Sequence, residues 1–259
     1  MGLHSVSVIG SGNVGWHMAW ALHEAGCKVS EVFSRDKEAA IRSADRIPGC
    51  IATNSLDFSQ SASGFFILSV PDDKIVSVVS EARLPERAIL VHTSGSAPMN
   101  LLSGFSHFGV LYPLQTFSKQ RVVDFSSIPL LIEANGEYAA EQIARIGTCL
   151  STNVFVLNSE ERARIHLAAV FANNFINHLL AIMDQILDND SQKFAMMKSL
   201  IRETVDKAFT MGPLAAQTGP AVRGDLGTVS RHLESLGDAS QAERVYRVMT
   251  ESILATRGK

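Results

Sequence analysis

The chain has 259 residues, enough for one large or two small domains with a substantial core. With 46% apolar and 19% charged residues it reads as a globular protein, and this excludes a disordered one. A formal charge of −3 without any basic run argues against a nucleic-acid binder. Cys27, Cys50 and Cys149 are odd in number and lack CxxC spacing, which fits a reduced compartment and gives no zinc site. The first strand is expected within a few residues of Met1, leaving no room for a signal peptide, and no apolar run approaches membrane-spanning length. A soluble, cytoplasmic protein without metal is expected.

Ser5-Val6-Ser7-Val8-Ile9 reads as a strand that runs into Gly10-Ser11-Gly12-Asn13-Val14-Gly15, which opens a helix ending at Gly26. Strand, glycine turn and helix in that order form the dinucleotide-binding pattern. Gly10 permits the tight turn, Gly12 lets the backbone approach a pyrophosphate, and Gly15 lets helix pack closely on strand. The amides of Ser11, Asn13 and Val14 sit where free N–H groups and the helix dipole favour an anion. Cys27 to Asp36 reads as the second strand. An NAD site places an acid about 20 residues past the glycines, to hold the ribose 2′-hydroxyl. Here that place holds Ser34 followed by Arg35, and a guanidinium can clamp a 2′-phosphate with two charge-assisted bonds. NADP is therefore expected over NAD. Asp36 is the complication, as a partner for Arg35 or as a ribose acceptor.

Further strands are expected at Gly64–Val70, Ala88–His92, around Phe108–Leu111, at Ile128–Glu133 and at Asn153–Leu157, with a helix from Glu137 to Leu150. This alternation predicts an α/β fold, a Rossmann-like parallel sheet over residues 1–158. Ligands of such sheets lie beyond the carboxyl ends of the strands. Three further segments reach that edge. Val70 and Pro71 end one strand in a turn able to set backbone carbonyls beside a nicotinamide or its ribose. Thr93 and Ser94 follow another, with hydroxyls suited to cofactor and to a substrate carbonyl or carboxylate. Gln115 lies in Tyr112-Pro113-Leu114-Gln115-Thr116-Phe117, a mixed aromatic and polar loop of the kind that walls a pocket.

From Ser159 the pattern becomes all-helical through residue 259, with Ser159 as N-cap and acidic residues in the first turn. A long apolar helix is expected from about Glu160 to Leu187, buried on most faces. Others follow at Lys193–Met211, Leu226–Leu236 and Ala239–Thr256. At about 100° per residue, His166, Asn173 and Asn177 share one stripe of the long helix. His166 is the only titratable group on that stripe, hence the candidate proton donor. The amides need hydrogen-bond partners, either a ligand or a neighbouring helix. A loop of two Gly-Pro steps, Gly212 to Asp225, has a defined backbone path, and its Gln217 and Arg223 are candidates for a polar or anionic substrate.

Together GSGNVG, LSVPDD, HTSGS, YPLQTFS, HLAAVFANNFINHLL and GPLAAQTGPAVRGD resemble a bacterial family that pairs a Rossmann-like domain with a C-terminal helical domain of unknown function. Its members are described as NADP oxidoreductases, similar to the deazaflavin-dependent group. The resemblance implies a helical domain like those of 6-phosphogluconate dehydrogenase and pyrroline-5-carboxylate reductase, which forms the homodimer and closes the cleft. Hydroxyacid dehydrogenases of that superfamily carry a catalytic Lys four residues before the second Asn of an Asn-Asn pair. This chain keeps Asn173-Asn174 but has Val170 there, with His166 one turn earlier. Hydride transfer between NADP(H) and a small C=O or C=N substrate is the leading expectation. In it His166 or a water gives the proton, while Ser94, Gln115 and Asn173 orient the substrate in the interdomain cleft. Hydride exchange between a reduced flavin or deazaflavin and NADP is a second reading, and a nucleotide sensor without turnover a third.

Overall fold

The computed structural model describes residues 5–256. Its contacts divide the chain into two compact units, 1–174 and 175–259. The pattern change expected at 158/159 is a change of secondary structure only. The first helical segment after it, through Asn174, belongs with the sheet.

The first unit carries eight strands: β1 (Ser5–Ile9), β2 (Lys28–Phe33), β3 (Ile51–Thr53), β4 (Phe65–Leu68), β5 (Ile89–His92), β6 (His107–Pro113), β7 (Leu130–Ala134) and β8 (Val154–Val156). Their order in the sheet is β3-β2-β1-β4-β5-β6-β7-β8. Every pairing is parallel except β6 with β7. The antiparallel return departs from the all-parallel expectation. No helix lies between Pro113 and Leu130, and antiparallel neighbours need no crossover. Three-residue β3 is too short to leave a periodic signal in the sequence.

Both faces of the sheet are covered. Along β4, Phe65 and Ile67 pack with Met18 and Leu22 of α1 (Asn13–Glu24) and with Ile143 of α4 (Glu137–Leu150). Phe66 and Leu68 pack on the opposite face with Ile75 and Val78 of α3 (Ile75–Glu81). Successive strand residues point to opposite faces, so a sheet buried on both sides reads as the unbroken apolar run FFIL. The strand order reverses between β1 and β4, and that switch point is where such sheets bind ligands.

Helix α2 (Lys37–Ala44) follows β2, and α5 (Ser159–Ala169) follows β8. The N-cap of α5 is Asn158, one residue before the expected Ser159, in a reciprocal capping box with Glu161. Arg162, one turn in, is buried. Its guanidinium meets the Glu133 carboxylate of β7 and donates to the Ala97 carbonyl, which ties α5 to two places on the sheet. A π turn, Val170–Phe175, then leads into α6 (Ile176–Ile186).

The two helices and the π turn form one continuous 28-residue helix that is long and apolar enough to cross a membrane. This corrects the expectation that no run reaches that length. Within the chain only 6% of its apolar window is buried, which also overturns the expected burial on most faces.

The second unit contains α6 with α7 (Ser191–Met196), α8 (Lys198–Met211), α9 (Pro213–Ala216), α10 (Pro220–Arg223), α11 (Leu226–Leu236) and α12 (Gln241–Ala255). The Gly-Pro steps open the two one-turn helices. Gly212 and Gly219 have φ of 85° and 113°, and each is followed by proline at the first helical position. Ile182, Ala221 and Val229 are buried in this unit, whereas Phe209 is 89% exposed and Leu200 and Leu214 exceed 60%.

Candidate functional site

At the switch point the glycine turn is held by backbone contact. Gly10 has φ of 125°, and a Cβ there would lie 2.0 Å from the Ser69 carbonyl at the end of β4. A Cβ on Gly15 would lie 2.1 Å from the Gly10 carbonyl, so helix and turn meet with no room for a side chain. Gly12 is the N-cap of α1 and supplies no side-chain cap, which leaves the first-turn amides for an external acceptor. A Cβ at Gly12 would meet no protein atom within 4 Å. These residues fit a pyrophosphate.

Two cavities flank this turn within the first unit. One, of about 770 Å³, is lined by Gly10, Ser11, Ser34, Arg35, Lys74 and neighbours. The other, of about 950 Å³, is lined by Asn13, Val14, Thr93, Gln115, His166 and Asn173 among others. Gly12, Ser69, Val70 and Pro71 line both, so the two cavities meet over the turn.

Asp36 lines the smaller cavity. Its carboxylate accepts the Glu38 amide as the N-cap of α2 and lies 3.7 Å from Arg42. Ser34 and Arg35 line the same cavity, with Lys74, a cation that the sequence pattern did not single out. Lys74 lies 2.8 Å from Asp73, whose carboxyl it holds below the usual range, with Arg35 adding to the effect.

The larger cavity holds the reactive groups. His166 comes from α5 and Tyr112 from the carboxyl end of β6. Tyr112 Oη lies 3.0 Å from His166 Nδ1, with the rings edge to face at 5.7 Å. Burial pushes the Tyr112 phenol up. Asp72 accepts hydrogen bonds from Ser94 Oγ at 2.9 Å and Ser96 Oγ at 2.6 Å. Ser94 Oγ in turn accepts the amides of Ser96 and Ala97 at 3.2 and 2.9 Å, so its hydroxyl serves the loop as well as lining the cavity. Gln115 accepts the Thr116 amide at 2.8 Å, which leaves its NH2 to donate. Thr93 donates its amide to the Leu68 carbonyl at 3.1 Å, bringing the β5 end against the β4 end.

Beneath this wall His92 is fully buried. Its Nδ1 accepts the Ser94 amide at 3.2 Å and its Nε2 has no partner. Burial, then the nearby Arg162 charge, lowers its pKa to about 4 against a smaller opposing pull from Asp72.

The expected stripe of His166, Asn173 and Asn177 is not kept. The π turn inserts a residue, which rotates everything after it by about 100°. His166, Asn173 and Asn174 line the cavity, whereas Asn177, Gln217 and Arg223 belong to the second unit and are exposed there. Asn173 is itself exposed, so its amide needs no buried partner. Among the described residues no three His, Cys, Asp or Glu side chains gather as a metal site.

Residues 2–117 match the Rossmann-like domain family, and residues 128–253 match a domain of unknown function, DUF2520. A candidate NADP oxidoreductase from Bacteroides fragilis has the same fold with TM-score 0.88 and 37% identity, over 98% of each chain. The chain belongs to the family that joins a Rossmann-like domain to DUF2520. A Thermotoga maritima protein, 22% identical over 97% of this chain and 98% of its own, shares the fold with TM-score 0.80. So does an Aspergillus terreus reductive aminase solved with NADPH and ethyl-5-oxohexanoate, at 14% identity and TM-score 0.61 over 99% and 92%. No curated protein matches the sequence. The motifs quoted above, from GSGNVG to the Gly-Pro loop, lie within the two matched ranges but for Ser118, one residue past the first. Tyr112 stands in that set too, although spacing alone gave it no role beyond the pocket wall.

Proposed function

We propose that this family member is an NADP(H)-dependent oxidoreductase that transfers hydride to or from a small C=O or C=N substrate. The observation that carries the reading is the junction of two cavities over one uncapped helix N-terminus. A dinucleotide is two nucleotides joined by a pyrophosphate, and this groove has two chambers joined at an anion-binding turn. Arg35 and Lys74 make the smaller chamber suited to a 2′-phosphate, so NADP is proposed over NAD. The larger chamber has the apolar walls and the few convergent polar groups of a small-molecule site. The bound cofactor supplies or takes the hydride. Gln115 and Asn173 orient the substrate, Ser94 holds Asp72 and the loop below it, and His166 is the titratable ring from which a proton reaches the reduced heteroatom.

The exposed apolar side chains of the second unit, Phe209, Leu200 and Leu214 among them, support a homodimer formed through these helices. Fluorescence titration with NADPH and NADH, followed by NADPH oxidation across a panel of aldehydes, ketones, imines and flavins, tests the reading. Saturable NADPH binding with turnover of a carbonyl or imine is expected. Absence of NADPH binding overturns it, and turnover confined to flavins replaces the substrate assignment.

A further inference from the structure

We infer that Tyr112 is the group that hands the proton to the substrate heteroatom, with His166 as its proton reserve rather than the direct donor. The inference rests on the oxidoreductase reading above. Tyr112 stands at the carboxyl end of β6, next to the β5 end that carries Thr93, on the edge where ligands of parallel sheets lie. His166 reaches the same chamber from α5, and its Nδ1 is taken up by the phenol oxygen at 3.0 Å. The backbone has been cleared for this pair. A Cβ on Gly95 would lie 2.5 Å from His166 Nδ1 and 2.8 Å from Tyr112 Cζ, so any other residue at 95 would push the two rings away. Arg162, one turn before His166, fixes the start of α5 to the Ala97 carbonyl two residues beyond Gly95.

The hydrogen-bond inventory of the two rings then sets the direction of transfer. A neutral imidazole that accepts at Nδ1 takes the phenol hydrogen, and Tyr112 has none to spare. An imidazolium must donate from Nδ1 to the phenol oxygen, and this turns the phenol hydrogen away from the histidine. Burial keeps that phenol protonated rather than ionised. As hydride adds to the carbonyl or imine carbon, the double-bond electron pair moves to oxygen or nitrogen. The Tyr112 O–H bond breaks and its proton goes to that heteroatom. The Nδ1–H bond of His166 breaks and its proton restores the phenol. The substrate gains one hydride, which a bound nicotinamide cofactor would supply, and one proton, and solvent recharges the imidazole.

The test is NADPH oxidation with the aldehyde, ketone and imine panel by wild type, Tyr112→Phe, His166→Asn and the double variant. Thermal melts and NADPH affinity serve as folding controls. Tyr112→Phe is expected to lower kcat by 10²- to 10⁴-fold, with KM and NADPH affinity within about threefold. The double variant should fall no further than Tyr112→Phe, because the two residues act as one chain. Nitrogen-15 NMR of the His166 ring, which needs no substrate, should show Nδ1 hydrogen-bonded to the phenol in the wild type and a changed tautomer balance in Tyr112→Phe. A Tyr112→Phe protein that keeps more than a tenth of wild-type kcat overturns the assignment, as do losses that multiply in the double variant or an unchanged His166 tautomer. A wild type that binds NADPH and reduces no panel member overturns the oxidoreductase reading, and the proton path with it.

Discussion

Acid should weaken the first unit through His92, by an amount the structure sets. This ring is fully buried, accepts the Ser94 amide at Nδ1 and lies near the Arg162 charge, so its pKa falls from the ordinary 6.5 to about 4. Above pH 6.5 neither the folded nor the unfolded chain holds the extra proton, and His92 has no effect. Between 6.5 and about 4 only the unfolded chain takes it up, so stability falls by about 1.4 kcal/mol for each pH unit of acidification. Below 4 both states are protonated and the loss stops. The full interval amounts to about 3 kcal/mol, and about 2 kcal/mol is gone by pH 5.0. Urea unfolding at pH 7.5 and 5.0, followed by tryptophan fluorescence, measures it. Both tryptophans, Trp16 and Trp20, lie on α1 in the same unit as His92, so the signal reports that unit. His92→Asn keeps an acceptor for the Ser94 amide and cannot titrate. Its stability at pH 7.5 can differ from wild type, but its fall between the two pH values should be about 2 kcal/mol smaller. Equal falls in the two proteins would refute the burial argument.

Gly15→Ala puts a methyl 2.1 Å from the Gly10 carbonyl, where only backbone could yield. It should abolish NADPH binding or folding, and a variant that binds NADPH at wild-type affinity removes the glycine turn from the site. Arg35→Ala should weaken NADPH by roughly ten- to a hundredfold, the worth of a charge-assisted bond, while NADH affinity stays within about twofold. Equal losses for both nucleotides would remove the preference for NADP. Arg162→Met leaves Glu133 half-buried without its cation, so a loss of about 3–5 kcal/mol in urea unfolding is expected, partly recovered in Arg162→Met/Glu133→Gln. Light scattering should give twice the mass of one chain, and Phe209→Glu, at an 89% exposed apolar position, should shift it toward a monomer. An unaltered dimer would place the interface elsewhere on the helices.

The parts of the site legible in the sequence were those made by backbone. The roles of Gly10 and Gly15 follow from contacts with Ser69 and with each other, and such contacts force a residue type onto a fixed position of a strand–turn–helix. The apolar run of β4 and the capping signal before α5 were legible for the same reason, because local sequence carries them. Side chains that meet across elements were not. Tyr112 and His166 are far apart in the chain, and nothing in YPLQTF says that its tyrosine will face a histidine on a helix beyond two further strands. Gly95 shows how such a pairing can leave a trace. It is not among the glycines with positive φ, and a Cβ there would meet the two rings. The π turn defeated the helical stripe by another route. Periodicity assumes a constant angle per residue, and one inserted residue at Val170–Phe175 leaves His166 and Asn173 on the cavity and carries Asn177 off the stripe. Turns of that kind recur at functional sites, because they trade helical regularity for the aim of particular side chains. Here the residues of the turn that line the cavity are Val170, Ala172, Asn173 and Asn174. Val170 carries no proton, and Tyr112 of β6 and His166, one turn earlier on the helix, line the same cavity. The proton path proposed above runs through a pair of side chains that the fold assembles.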